Sequence, residues 1–110
     1  MSAQHPTLTE GRWRQLAFVE QMANVASEVE RALNWRAKNN EVYSRRAFER
    51  AEELLGLTVA HASTFPQRRE VARVREALLD YFYGINQSGS TDVSWRKYFL
   101  AFVYAARRNR

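Results

Sequence analysis

The side chains in this sequence that could move protons or hold a metal are few and scattered. Two histidines, His5 and His61, stand in a chain of 110 residues that has no cysteine. Neither has His, Cys or carboxylates at the spacing of a ligand set, so a zinc-type site has no support and a thiolate nucleophile is excluded. Nothing selects a serine to pair with either histidine for acyl transfer. Glu76 and Asp80 form a carboxylate pair one helical turn apart, but Arg69 and Arg73 share those turns, and the group reads as a solvated, ion-paired face. The run Asn86–Asp92 (NQSGSTD) leads into a helix start followed by Arg96 and Lys97. Backbone N–H groups at such a start attract anions. The Gly-x-x-x-x-Gly-Lys-Ser/Thr spacing of a phosphate loop is absent, however, and a turn with a helix cap is the simpler expectation. No catalytic residue, metal or cofactor is expected, and the protein reads as a non-enzyme.

Recognition by charge is better represented than catalysis. The net charge is +5 and the isoelectric point near 10.1, with most of the 17 basic residues arginine. Arg45, Arg46 and Arg50 fall on one part of a helix, and Arg68, Arg69 and Arg73 on part of the next; Arg107, Arg108 and Arg110 close the chain. If the two helical faces abut, they could contact phosphates. The interleaved Glu49, Glu52, Glu53, Glu70 and Glu76 would dilute the field.

Arg75 is the oddest single residue. Helical counting places it between Val71, Leu78, Leu79 and Phe82, inside an apolar stripe. A buried guanidinium needs a carboxylate from another helix, for which Glu20, Glu28 and Glu30 are candidates. It would serve as a bundle-locking ion pair or as a ligand-binding arginine. Trp13 and Trp35 project opposite the core stripe of their helix, and tryptophan is enriched at interfaces. Leu100 and Tyr104, four apart, leave the last helix apolar on more than one side, as a helix with a second packing partner is.

These residues need a scaffold, and the sequence describes an all-α one. Apolar residues make up 45% of the chain and charged residues 26%, which excludes disorder as the default, while four Gly and two Pro are too few for a turn-rich β design. The length suits one domain spanning residues 1–110, with residues 1–10 a flexible N-terminal segment. Four helices are expected. The first runs from Gly11 to Lys38, with Phe18, Val19, Met22, Val25, Ala26, Val29 and Leu33 on its stripe. Asn39-Asn40 ends it, and Asn40 caps a second helix, Glu41–Ala62, with Ala47, Phe48, Ala51, Leu54, Leu55, Thr58 and Val59 inward. Thr64 and Pro66 open a third, Pro66–Tyr83, carrying Val71, Val74, Leu78 and Phe82, with Ile85 continuing the stripe and Gly84 as its C-terminal cap. Thr91 or Asp92 caps the fourth, which reaches Arg107 and buries Trp95, Tyr98, Phe99, Phe102 and Ala106. Short connections make this an up-down-up-down four-helix bundle with a long, overhanging first helix.

The stretches Ala47–Ala60 (AFERAEELLGLTVA) and Arg73–Arg110 (RVREALLDYFYGINQSGSTDVSWRKYFLAFVYAARRNR), about half the chain, resemble a group of short prokaryotic helical proteins of unassigned function. In architecture the chain is also similar to the HEPN superfamily of small helical bundles, often paired with nucleotidyltransferases. The ribonuclease members of that superfamily carry Arg, then four to six intervening residues, then His. Here Leu54, Leu55 and Gly56 hold those places before His61, so the resemblance implies a binding-type member without RNA cleavage.

No apolar run reaches the length of a membrane span, and Met1–Glu10 lacks the apolar stretch of a signal peptide. The expectation is a cytoplasmic homodimer, or a partner of another protein, acting through its first and last helices. The alternative is a HEPN-like bundle binding nucleic acid or nucleotide through the arginines of its second and third helices.

Overall fold

The computed structural model describes residues 10–108. Most of the expected flexible segment, together with His5 and Arg110, lies outside that range. All regular structure among the described residues is helical: α1 (Glu10–Gln15), α2 (Phe18–Ala37), α3 (Glu41–His61), α4 (Phe65–Tyr83) and α5 (Asp92–Arg108). None of these helices is long and apolar enough to cross a membrane.

The single long first helix is not present; the chain breaks at Leu16–Ala17. Ala17 has an extended backbone (φ −63°, ψ 153°), and its N–H donates to Glu20 Oε1 at 3.1 Å, half of a reciprocal capping arrangement that alanine cannot complete. Gln21, buried, donates through Nε2 to the carbonyls of Trp13 (2.9 Å) and Leu16 (3.4 Å), satisfying acceptors that the end of α1 leaves open. The break also re-aims Trp13. On one straight helix Trp13 and Trp35 would share a face. Instead Trp13 turns onto α3, fully buried, and its Nε1 donates to Thr58 Oγ1 at 3.1 Å. The Thr58 hydroxyl in turn donates to the Leu54 carbonyl at 3.0 Å.

The later connections follow local chemistry. Asn39 takes a left-handed conformation (φ 60°) that asparagine tolerates, and Asn40 Oδ1 accepts from the Tyr43 N–H at 3.1 Å to cap α3. Thr64 Oγ1 accepts from the Gln67 N–H at 3.2 Å, with Pro66 in the first turn of α4. Gly84 caps α4, though not through a left-handed turn. A Cβ there would stand 3.0 Å from the Asp80 carbonyl oxygen and 2.7 Å from its Oδ1, so close approach, not φ, demands glycine. Thr91 caps α5, with Thr91 Oγ1 accepting from the Ser94 N–H and Ser94 Oγ accepting from the Thr91 N–H.

α2 is the spine, packed along both α3 and α5; α4 packs on α3, and α1 also rests on α3. Fully buried Ala32, Ala47 and Ala51 let α2 and α3 approach closely, and the Ser44 hydroxyl donates across them to the Ala32 carbonyl at 2.8 Å. Met22, Val25, Leu33, Leu54 and Leu55 fill the centre. The pairing of α4 with α5 depends less on close backbone approach than on large side chains. Tyr81 lies against Trp95, Tyr81 Oη donates to Asp92 Oδ1, and Tyr98 Oη donates to Glu70 Oε2 at 2.6 Å. Ile85 lies past the end of α4 and is 83% exposed.

Candidate functional site

Among the described residues, three of the grooves between helices differ in their chemistry. The first lies between α2 and α5, encloses about 630 Å³, and is floored by Ala26, Val29, Leu33, Phe99 and Val103. Val93 and Leu100 rise along its α5 wall, 72% and 64% exposed, with Tyr104 61% exposed one turn further on. Polar groups are confined to the rim. Arg96 Nε donates to both carboxylate oxygens of Glu30 (2.9 and 3.1 Å) and its Nη2 to Asn34 Oδ1 (3.0 Å), clamping α5 to α2. Lys97 stands on the same rim. The sequence marked Leu100 and Tyr104 as surplus apolar residues, and both are exposed; Val93, in the first turn of α5, escaped notice.

The second groove lies between α2 and α3. Arg31, Trp35, Tyr43, Arg46 and Arg50 line a hollow of about 260 Å³. A neighbouring hollow of about 480 Å³ shares Arg31 and Trp35 and continues past Ser27, Asn34 and Lys38. Beneath them lies Glu28, the one buried carboxylate among the described residues, with Oε1 3.6 Å from Arg31 Nη1 and 3.9 Å from Arg50 Nη1. Trp35 meets Tyr43 edge to face at 4.9 Å, Lys38 Nζ sits over the indole at 5.3 Å, and Arg46 sits over the Tyr43 ring at 5.6 Å. The sequence missed Glu28 as a core group, although its i, i+4, i+7 spacing in Gln21, Val25, Glu28 and Ala32 is a core stripe.

The third groove, about 850 Å³, separates α4 from α5 and gathers Glu70, Arg73, Glu76, Asp80, Trp95 and Tyr98. Here Tyr98 holds its proton more tightly than an ordinary tyrosine. Burial is the main cause, followed by the bond to Glu70 and that carboxylate's charge. Burial also raises Tyr81, with Asp92 adding to the effect and Arg36 opposing it, and burial raises Tyr83 against the opposing charge of Arg45. With folded values above the unfolded value of about 10, these phenols contribute stability that is full below about pH 10 and is lost as pH rises through the folded values. The urea midpoint is therefore expected to fall as pH is raised beyond 10, and less steeply in Tyr98→Phe. A Tyr98→Phe slope identical to the parent's would show that Tyr98 is not held in this way.

Several expectations change. Trp13 is not an interface residue: the break at Ala17 buries it against Thr58. Trp35 is half-buried in the α2–α3 groove. Arg75 is not a buried guanidinium. Its side chain is 41% exposed, its guanidinium would stand 3.8 Å from a Cβ placed on Gly56, and it pairs with Glu52 of α3 at 3.6 Å, not with Glu20, Glu28 or Glu30. The arginines of α3 and α4 do not form one stripe. Arg46 and Arg50 face the α2–α3 groove, Arg45 covers the Tyr83 ring, Arg73 lines the α4–α5 groove, and Arg68 and Arg69 are exposed on α4. Within the Asn86–Asp92 loop, the Asn86 amide both accepts from the Ser90 N–H and donates to the Ser90 carbonyl, each at 2.9 Å. That loop is bonded to itself and is not an open anion cradle. Among the described residues no three His, Asp or Glu side chains gather as metal ligands.

Comparison of the chain with family models, with curated proteins and with solved structures returns no match.

Proposed function

We propose that the protein acts by protein–protein contact and without catalysis, as a homodimer formed by the α2–α5 faces of two copies. The observation that carries this reading is the apolar α2–α5 groove bordered by Val93, Leu100 and Tyr104. Those residues are spaced seven and four apart, a stripe of about 16 Å along one side of α5. Exposed side chains on a helical stripe beside an apolar groove suit helix-in-groove docking. A second copy is the occupant that fits best because a two-fold axis can lay the exposed α5 stripe of each copy into the apolar groove of the other, a self-complementary contact. In this reading α2 to α5 run up-down-up-down, α1 buttresses the far side, and the cysteine-free chain works in a reducing cytoplasm.

Sedimentation or light scattering over a concentration series tests it. The parent chain is expected to run as a dimer at tens of micromolar, and Leu100→Asp as a folded monomer with unchanged helical circular dichroism. A parent chain that stays monomeric at every concentration would remove the proposal.

A further inference from the structure

The α2–α3 groove has a chemistry unrelated to that docking face. Three guanidinium groups, Arg31, Arg46 and Arg50, converge on one hollow with a single buried carboxylate beneath them. Like charges this close repel, and Glu28 offsets that repulsion for two of them while holding both from below. The third, Arg46, rests on the Tyr43 ring. Positive charge therefore remains in excess along the groove. The second hollow extends the path beyond Trp35 to Lys38, with Ser27 and Asn34 as neutral hydrogen-bonding groups along it. Glu30 also borders this hollow, but both its oxygens are engaged by Arg96. A positively charged track with half-exposed aromatic rings in its course matches the requirements of a flexible polyanion bearing flat, stackable groups. The track is also interrupted by a ring pair instead of presenting a smooth basic face, which suits unpaired bases better than the regular backbone of a duplex.

We infer that the groove formed by Arg31, Trp35, Lys38, Tyr43, Arg46 and Arg50 is a binding site for single-stranded nucleic acid. The arginines and Lys38 take successive phosphates, and a base stacks at Trp35. Trp13 and Trp95 are buried elsewhere, so Trp35 is the tryptophan placed to report on the site.

The test is fluorescence anisotropy with labelled dT12 and U12 oligonucleotides at low salt, using the full chain. Binding is expected to quench tryptophan emission and to weaken with salt, with a slope of log affinity on log salt of about −2 to −3 for three or four phosphate contacts on a single strand. Lys38→Glu combined with Arg46→Glu leaves the Glu28 pairs untouched and is expected to weaken binding more than tenfold. Arg68→Glu combined with Arg69→Glu makes the same change in net charge on α4 and is expected to weaken it less than threefold. Trp35→Ala is expected to lose about five- to a hundredfold. The proposal is overturned by no binding at low salt, by equal losses in the two charge-reversal pairs, or by equal affinity for a duplex of the same length.

Discussion

Replacing Trp13 by alanine is expected to destabilise the protein by about 3–5 kcal/mol, the range for truncating a large buried aromatic side chain. In a chain of this size that lowers the melting midpoint by roughly 10–30 °C. The effect has two sources. The indole is fully buried, so its removal opens a cavity between α1 and α3. It is also the side chain that holds the six-residue α1 in place, since so short a helix has no stability of its own. Trp13→Phe separates these from the hydrogen bond. The ring body remains, but the bond to Thr58 Oγ1 is lost, at about 0.5–1.5 kcal/mol plus the small volume change. Urea unfolding of the parent and both variants reads these differences directly. A cost below 1 kcal/mol for the alanine variant would mean that α1 does not dock as described.

Trp95 is expected to behave differently. Trp95→Ala also costs about 3–5 kcal/mol. The residue is 7% exposed, lies against Tyr81, Tyr98 and Phe99, and stands between the α2–α5 and α4–α5 grooves, so truncating it joins the two. Its indole N–H, unlike that of Trp13, finds no acceptor among the described residues. A buried donor left unbonded costs about 1–3 kcal/mol. Trp95→Phe removes that penalty along with part of the ring, and the two changes oppose one another, so the net cost is expected to stay within about 1 kcal/mol. Phenylalanine should thus be tolerated better at 95 than at 13. Equal costs at the two positions would refute the assignment of the hydrogen bond.

The fold was legible where side chains cap helices visibly. Asn40, Thr64 and Thr91 each mark a helix start in the sequence, and each accepts the expected backbone N–H. The break before α2 was not legible, because alanine at position 17 carries no capping oxygen and the bonds that secure it come from Glu20 and Gln21 further on. Arg75 was misplaced for a different reason. The apolar stripe of α4 looked wide enough to include it, but α4 has one close helical neighbour, and only Val71, Val74 and Leu78 are buried. Position 75 falls at the edge, where a guanidinium keeps its water. The apolar surplus at Leu100 and Tyr104 was readable from spacing alone. The basic groove was not, since its residues come from two helices and its anchor, Glu28, was expected as a partner for Arg75 and stands instead beside Arg31 and Arg50.

The central position of α2 limits how this sequence can vary. Met22, Val25 and Leu33 serve the interior, Ala26, Ser27 and Glu30 the apolar groove, and Arg31 and Trp35 the basic one. In twenty residues this helix has almost no idle side. Substitutions there fall on one commitment or another, whereas the outward face of α4 around Ala72 and Arg69 touches none of the grooves and is open to change. Engineered tags, labels or surface-charge changes therefore belong on that outward face of α4, where they leave the lining of the grooves unchanged.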